Sequence, residues 1–163
     1  MEKNRFLKFE NEIRPRVNAE IIRRLGHNNE GYAMAADFVK RKTFYLRPAL
    51  TIIAARLFGA SERKAMLPSV AIQLSNEWML IHDDIEDGSN FRRHGPALHR
   101  VQGEAIAINT GDYLHSEAWN AIADYILEYG IRDGKRLHKK FSDMIRKTIV
   151  AQAMDLGFSR SIK

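Results

Sequence analysis

The residues best suited to chemistry in this chain are three aspartates close together at the predicted end of a helix. Asp83 and Asp87 are four residues apart and Asp84 and Asp87 are three apart, so on a helix their carboxylates share one face. The negative end of the helix dipole disfavours each carboxylate by roughly 0.3–1 kcal/mol. A bound cation would offset this repulsion, and carboxylate oxygens are ligands that hard Mg²⁺ prefers. The spacing therefore predicts a metal site.

Two arginines follow the aspartates at a short distance along the chain. Arg92 lies five residues after Asp87, and Arg93 follows it directly. Guanidinium groups recognise phosphate oxygens through paired hydrogen bonds. Carboxylates that hold a metal, beside arginines that hold phosphate, predict a diphosphate–magnesium site. The alternative is an acidic helix end whose charges pair internally with the two arginines and bind no ligand.

The composition is that of an ordinary globular protein and excludes several other kinds of site. The 163 residues are 45% apolar and 28% charged, and this length predicts one domain over residues 1–163. The absence of cysteine excludes a disulfide scaffold, a thiolate zinc site and a cysteine nucleophile. The charged N-terminal segment does not resemble a signal peptide, and no apolar run approaches about 20 residues. We therefore expect a cytoplasmic protein with no transmembrane segment.

Charge is spread unevenly along the chain. The net charge is +6, yet residues 65–100 carry three Lys or Arg against five Asp or Glu. An acidic segment thus lies within a basic protein.

A basic stripe at helical spacing near the C-terminus is interpreted as a solvated helix face, and a nucleic-acid-binding surface is the weaker alternative. The stripe consists of Arg132, Lys135, Arg136, Lys139, Lys140, Arg146 and Lys147.

The elements that position these residues are predicted to be helices. Apolar residues recur at steps of three and four, and no alternating strand pattern is present, which predicts an all-α fold with short loops. Leu50, Ile53 and Leu57 are expected to face inwards, and Asp112 and Asp155 to be buried and held by partners. The predicted helices run from Phe6 to Leu25 with a bend or break at Pro15, over about 31–41, from Pro48 to Gly59, from Pro68 to Gly88, over about 98–129 and over about 132–157, with a loop over 89–97.

Four motifs in order resemble those of the trans-isoprenyl diphosphate synthases. The segment from His82 to Asp87, followed by Arg92, Arg93, Pro96 and His99, is similar to the first aspartate-rich motif of that family. The other three motifs are Leu46-Arg47-Pro48, Thr110-Gly111-Asp112-Tyr113-Leu114 and Gln152-Ala153-Met154-Asp155-Leu156. The resemblance covers roughly residues 40–157. It implies a helical bundle of the isoprenoid synthase type that lacks its C-terminal helices in this chain.

The resemblance implies a magnesium-dependent condensation of isopentenyl diphosphate with an allylic diphosphate. Asp83, Asp84 and Asp87 would bind the Mg²⁺ ions, and Arg92 the allylic diphosphate. Isopentenyl diphosphate would be held by Arg47 and Arg93, with Asn76 as a further donor to the same group. His82 is expected to be a hydrogen-bonding neighbour of the aspartates rather than a ligand.

The same family places the residues that limit product length on the helix that carries the aspartates. Trp78 and Met79 would floor the tunnel for the growing chain, since Met79 lies one turn, about 5.4 Å, below Asp83. A bulky Trp78 favours a short product, farnesyl or geranylgeranyl diphosphate. The alternative is that Trp78 is an ordinary core residue, because its spacing with Leu74 and Ile81 is also core spacing.

Three departures from the family pattern affect these expectations. Phe44 and Tyr45 occupy the places of a Lys and an Arg, although Arg41 and Lys42 are near. His94 and Gly95 stand in swapped order, which predicts a differently shaped loop. Family members are also about twice as long, so the chain is expected to be an N-terminal half, incomplete alone, that forms a homodimer or pairs with a second chain. A non-catalytic helical subunit or scaffold that pairs with a complete synthase is the alternative function.

Overall fold

The computed structural model describes residues 2–26, 30–41 and 43–161, and these residues are mostly helical. The all-α prediction is confirmed, with one small hairpin as an addition. No helix of the described ranges has both the length and the apolar character that a membrane crossing requires. The elements are α1 (Glu2–Leu25), α2 (Glu30–Lys40), α3 (Leu46–Leu57), α4 (Glu62–Glu86), β1 (Phe91–Arg92), β2 (Gly95–Pro96), α5 (Leu98–Gln102), α6 (Glu104–Tyr129) and α7 (Ile131–Ser161).

The chain divides into two compact units, Met1–Ala121 and Ile122–Lys163. In the first unit, α3 packs chiefly against α4, and α1 packs against α2, α3 and α4. The second unit contains the end of α6 and all of α7, with Ile122, Phe141 and Ile145 buried. The prediction of one domain over residues 1–163 stays a prediction. The buried apolar side chains that α1 and α4 contribute to the first unit include Ile13, Val17, Ile21, Leu25, Val70, Leu74 and Ile81.

Pro15 was expected to bend or break a helix and Pro68 to open one, and both lie inside a helix. Helix α1 continues through Pro15, and α4 begins at Glu62, six residues before Pro68. The start of α4 is set by Ser61, whose side chain accepts a hydrogen bond from the Lys64 backbone N–H at 3.2 Å. This contact satisfies one of the free amides of the first turn. The prediction that Pro68 opens the helix was therefore wrong.

The end of α4 follows the sequence signal. Gly88 has a φ of +66°, and its N–H donates to the Ile85 carbonyl at 3.2 Å. The Ser89 N–H donates to the Asp84 carbonyl at 2.9 Å. These two bonds form the turn that typically closes a helix at a left-handed glycine. They fix the direction in which the chain leaves the aspartates.

Two further boundaries differ from the predictions. The single helix predicted over 98–129 is divided into α5 and α6 at Gly103, whose φ of +83° interrupts the helix. The predicted loop over 89–97 contains a short antiparallel hairpin in which Phe91 pairs with Pro96 and Arg92 with Gly95. Strands of two residues are too short to show an alternating pattern in the sequence.

The face of α3 that packs against the core is not the face that its leucines predicted. Leu50 is 51% exposed and Leu57 is 79% exposed, whereas Pro48, Ala49 and Ile52 are buried. The small side chain of Ala49 and the ring of Pro48 allow a close approach to α4, where the Ser69 hydroxyl lies 3.5 Å from the Pro48 carbonyl oxygen. The choice of face is therefore made by close packing and not by hydrophobicity alone.

Two glycines of α7 give a matched test of close packing in the second unit. A Cβ on Gly134 would lie 2.5 Å from Ile126 Cγ1 and 2.9 Å from Ile126 Cα, whereas a Cβ on Gly157 meets no atom within 4 Å. We expect Gly134→Ala to lower the free energy of unfolding by about 1–3 kcal/mol through overpacking. Gly157→Ala should leave it unchanged or raise it by up to about 1 kcal/mol through helix propensity. Urea denaturation of both variants measures the difference, and equal effects would contradict the close contact.

Candidate functional site

The three predicted metal-binding aspartates occupy different environments at the end of α4. Asp84 is buried with 1% of its surface exposed, Asp83 is half-buried, and Asp87 is exposed at the position that caps the helix. Over the described ranges, no group of three potential metal-ligating side chains converges. The structure therefore brings Asp83 and Asp84 together through a shared partner, and places Asp87 towards solvent.

That shared partner is Arg92 of the hairpin. Its Nε donates to Asp84 Oδ1 at 2.9 Å, and its Nη2 donates to the same oxygen at 2.5 Å and to Asp83 Oδ2 at 3.3 Å. The hydrogen bond to Asp84 is the main cause that raises the pKa of Arg92 above its usual value, while partial burial opposes it. The internal pairing considered as the alternative to a ligand site is thus present for this arginine.

One oxygen of this cluster fits a hard cation. Asp84 Oδ2 is buried and has no hydrogen-bond partner within the described part of the chain. A buried carboxylate oxygen without a donor is unfavourable and calls for an explanation such as an ion. Asp83 is the adjacent residue and offers a second, partly exposed carboxylate. The donor chemistry of the pair therefore fits Mg²⁺.

Arg93 points away from the aspartates and into the protein. Its Nη2 donates to Glu77 Oε1 at 3.0 Å, and its Nη1 lies 2.7 Å from Glu77 Oε2. The guanidinium carbon also lies 5.4 Å from the centre of the Phe38 ring. With 8% of its side chain exposed, Arg93 belongs to the interior of the first unit in this structure.

Glu77 is a buried charged residue next to the predicted site that the sequence reasoning missed. It is completely buried in the middle of α4, where Gln73 Nε2 donates to the same Oε1 that accepts from Arg93. Burial raises the pKa of Glu77, while the hydrogen bond and the charge of Arg93 lower it. The signal was available, because a carboxylate between the core residues Leu74 and Ile81 requires a buried partner.

The turn of the hairpin holds two residues in a conformation that favours glycine. Arg93 has a φ of +54° and His94 a φ of +63°. Two such residues form the type of turn that hairpins usually build with Asn-Gly. Next in the chain, a Cβ on Gly95 would lie 3.4 Å from Nη1 of Arg41, which donates to the Pro96 carbonyl at 2.7 Å. The swapped order of His94 and Gly95 therefore places a side chain at a left-handed position.

Phe44 and Tyr45 supply no positive charge in place of the basic residues expected from the family. Tyr45 is buried, its N–H donates to Glu10 Oε1 at 2.8 Å and its hydroxyl donates to Asn18 Oδ1 at 3.0 Å. Burial is the main cause that raises its pKa. The exposed ring of Phe44 lies 5.8 Å from that of Phe6. These residues attach the segment before α3 to α1.

The remaining predicted substrate-binding residues lie on α3 and α4. Arg47 is exposed in the first turn of α3, and its charge acts on the Glu77 carboxylate. Asn76 is buried and directly precedes Glu77. Arg41 contacts the hairpin, as described above, whereas Lys42 lies outside the described residues. The structure therefore gathers Arg47, Arg93 and the hairpin around the middle and end of α4.

Trp78 packs against α6 through a histidine. Its ring centre lies 3.9 Å from that of His115, and the Trp119 Nε1 donates to His115 Nε2 at 3.1 Å. These contacts are those of a core residue. Met79, one turn before Asp83, is partly exposed. Their predicted roles in product length stay predictions.

His82 faces α6 rather than the aspartates. Its Nε2 lies 3.4 Å from the Ile108 carbonyl oxygen and 3.5 Å from Asp112 Oδ1. A Cβ on Gly111 would lie 2.6 Å from the same nitrogen, so a larger residue at this position would displace the imidazole ring. The expectation that Asp112 and Asp155 are buried was wrong, since both are exposed. A polar residue can lie on the solvent side of an otherwise apolar helix.

The left-handed turn residue gives a stability test of the hairpin. A residue with a side chain is roughly 1–2 kcal/mol less stable at positive φ than glycine, which adopts this conformation without strain. We therefore expect His94→Gly to unfold with a free energy about 1 kcal/mol higher than His94→Ala, since only glycine relieves the backbone. Urea denaturation of the two variants measures this difference. Equal stabilities would show that His94 does not hold a left-handed conformation in solution.

His115 gives a prediction on pH. Burial lowers its pKa below the usual value of 6.5, while the charge of Asp112 raises it and that of His82 lowers it. Below 6.5 the unfolded chain takes up a proton that the folded chain resists, because burial disfavours the charged imidazolium of His115. The free energy of unfolding therefore falls as the pH drops through and below 6.5.

Urea denaturation at about one pH unit above and below that value, for the wild type and His115→Phe, measures this effect. The variant should lose part of the difference between the two conditions. An unchanged difference would assign the pH dependence to other groups.

The comparison with known proteins identifies the family. The polyprenyl synthetase family profile matches residues 29–163. The geranylgeranyl diphosphate synthase of Saccharolobus solfataricus is 33% identical over 120 residues, which cover 72% of this chain and 35% of that protein. The solved geranylgeranyl pyrophosphate synthetase of the archaeon Geoglobus acetivorans is 28% identical with a TM-score of 0.82, over 91% of this chain and 49% of that one.

A third relative was solved with ligands. The polyprenyl synthase of Caulobacter crescentus CB15, complexed with calcium and isoprenyl diphosphate, is 29% identical with a TM-score of 0.69 over 74% of this chain and 37% of that one. This chain thus spans less than half the length of these relatives. Its helices have the all-α fold of the isoprenyl synthases, and the chain belongs to the polyprenyl synthetase family.

Proposed function

We propose that this chain carries the first diphosphate–metal site of a Mg²⁺-dependent prenyltransferase. The reaction would condense isopentenyl diphosphate with an allylic diphosphate to a short-chain product, farnesyl or geranylgeranyl diphosphate. The observation that carries this proposal is the cluster in which Arg92 joins Asp83 to the buried Asp84 beside an oxygen that lacks a donor. The family membership and the names of the relatives support the class of substrate.

Asp83, Asp84 and Asp87 are proposed to hold the metal. Mg²⁺, when bound, supplies positive charge to the diphosphate leaving group. The related synthase solved with calcium and isoprenyl diphosphate supports a divalent ion together with a diphosphate. Arg92 pairs with both carboxylates at the rim of the site, so an ion on these oxygens would release its guanidinium towards the allylic diphosphate.

Arg47, Arg93 and Asn76 are proposed to bind isopentenyl diphosphate. Arg47 is an exposed cation close enough for its charge to act on Glu77, the neighbour of Asn76. In the reaction, the bond from the allylic carbon to the diphosphate oxygen breaks and its electron pair leaves with the diphosphate. The isopentenyl double bond then forms the new carbon–carbon bond, and a proton lost from the isopentenyl unit passes to diphosphate. The protein contributes position and charge.

Product length, assembly and location are part of the same proposal. Met79 and Trp78 are proposed to limit the growing chain, with Met79 nearer to solvent than the buried Trp78.

Exposed apolar side chains such as Leu57 and Phe58 support pairing with a second copy or another chain. The absence of cysteine is consistent with the reducing cytoplasm.

A second candidate function is a non-catalytic subunit that pairs with a complete synthase. Two observations favour it. Tyr45 is a buried anchor where a cation was expected, and Arg93 is engaged by Glu77. Such a subunit would not need to bind Mg²⁺ and diphosphate, which makes the two functions separable by a binding measurement.

Calorimetry with dimethylallyl diphosphate tests the proposed function. We expect the intact chain to bind this ligand only when Mg²⁺ is present. Asp84→Asn should weaken the binding at least about tenfold, because it removes a metal-binding charge. Asp143→Asn, which removes a surface carboxylate paired with Arg146 on α7, is the matched control and should leave the affinity unchanged. Binding that is absent, or that ignores Mg²⁺ and Asp84, would favour the non-catalytic subunit.

A further inference from the structure

We propose that Arg41 is a further substrate-binding residue, which contacts the diphosphate group of isopentenyl diphosphate. Arg41 lies outside the four motifs, directly after α2. The inference rests on the proposed function, because Arg47, Arg93 and Asn76 are the proposed ligands of the same diphosphate. It begins from the two positions before α3 at which the chain lacks the expected cations.

The first step is the positive charge that is available to the proposed ligand. Phe44 and Tyr45 carry none, and the Tyr45 backbone is bonded to α1. The charge of Arg93 is opposed by Glu77, whose two oxygens lie 3.0 Å from Nη2 and 2.7 Å from Nη1. Arg93 can keep this pair and still donate to a phosphate, because a guanidinium has five N–H groups. A further cation beside Arg47 would nevertheless stabilise a diphosphate, which carries several negative charges.

The second step is the position of Arg41 relative to Arg93. Their guanidinium carbons each lie 5.4 Å from the centre of the Phe38 ring, so the two carbons are at most twice that distance apart. Two hydrogen bonds of about 2.9 Å cover more than half of that separation, and a diphosphate can span the remainder. Phe38 is completely buried, and its carbonyl accepts from the Arg41 N–H at 3.3 Å. The ring therefore gives both arginines a common buried neighbour.

The third step is the contact of Arg41 with the hairpin. Its Nη1 donates to the Pro96 carbonyl at 2.7 Å, and a Cβ on Gly95 would lie 3.4 Å from the same nitrogen. A side chain at position 95 would therefore press on the guanidinium. The glycine, which stands one place later than in the family pattern, leaves room for it. Arg41 is thereby held against the element whose turn contains Arg93.

The fourth step is the weak pairing of the Arg41 charge. Asp37 lies 3.8 Å from Arg41 Nη2, and the Asp37 side chain is 75% exposed. Ion pairs with so exposed a partner contribute little. The Arg41 side chain is itself 17% exposed, so water compensates its charge only in part. A partly buried cation with a weak partner favours an anion beside it.

Calorimetry with isopentenyl diphosphate tests Arg41. The proposed ligands are arginines and an amide, so the titration is made in EDTA, without Mg²⁺. We expect Arg41→Gln to weaken binding about tenfold, and Arg41→Lys, which keeps the charge, to weaken it by at most about threefold. Asp37→Asn removes the competing carboxylate and should leave the affinity unchanged or raise it. Arg146→Gln, which removes an exposed arginine of α7, is the matched control and should leave the affinity unchanged.

Dimethylallyl diphosphate with Mg²⁺ separates a ligand from a support of the hairpin. For a ligand of isopentenyl diphosphate, Arg41→Gln leaves this second affinity within about threefold of the wild type. If Arg41 only holds the hairpin through Pro96, Arg41→Gln weakens both ligands equally and the proposal is wrong. An unchanged affinity of Arg41→Gln for isopentenyl diphosphate contradicts it as well.

The two titrations also separate this proposal from the proposed function. A wild type that binds dimethylallyl diphosphate with Mg²⁺ but no isopentenyl diphosphate overturns the role of Arg41 and leaves the metal site standing. A wild type that binds isopentenyl diphosphate through Arg41, but shows no binding that depends on Mg²⁺, supports Arg41 and refutes the metal site. A wild type that binds neither ligand refutes both.

Discussion

The site depends on the requirement that two carboxylates buried on one helix each obtain a positive partner. Glu77 and Asp84 are both nearly inaccessible on α4, and burial without a partner would make the ionised form of either very unfavourable. The hairpin after α4 supplies both partners from consecutive residues. Arg92 and Arg93 therefore neutralise the buried carboxylates of α4 only while the hairpin keeps its conformation. The charge of the helix and the shape of the loop depend on each other.

This requirement explains why an irregular turn is retained beside the site. A two-residue hairpin with Arg and His at positive φ is less stable than one built from Asn-Gly. The ion pair to Glu77 opposes that strain, since Arg93 can reach α4 only while the turn is formed. The closing turn of α4 at Gly88 and the bond from Arg41 to Pro96 limit the remaining freedom of the segment.

The sequence predicted the parts of the fold that single residues determine. The helix ends predicted at Leu25, Gly88 and about residue 129 agree with the structure to within two residues. Gly26, Gly88 and Gly130 each adopt a positive φ, which the helix cannot continue through. The start of α4 was missed because Pro68 is a stronger signal than the cap at Ser61. The inward face of α3 was also missed. Periodicity allows either Leu50 or Ala49 to be buried, and only the distance to α4 decides.

The sequence predicted which residues form the candidate site better than it predicted the contacts between them. The spacing of Asp83, Asp84 and Asp87 indicated a metal site, but it did not show that Asp87 would lie in solvent while Asp84 was enclosed. That difference arises because the chain reverses at Gly88 and brings the hairpin over one side of the helix only. The buried position of Glu77 was not predicted, because a charged residue beside an apolar stripe usually lies on the solvent side of its helix.

The two adjacent arginines, although identical in type, occupy environments that suit them to different tasks. Arg92 is partly exposed and pairs with two carboxylates at the rim of the cluster. Arg93 is buried against a carboxylate that no solvent reaches, so its withdrawal would leave an uncompensated charge in the interior. The backbone between these two residues joins the partly exposed ion pair to the buried one.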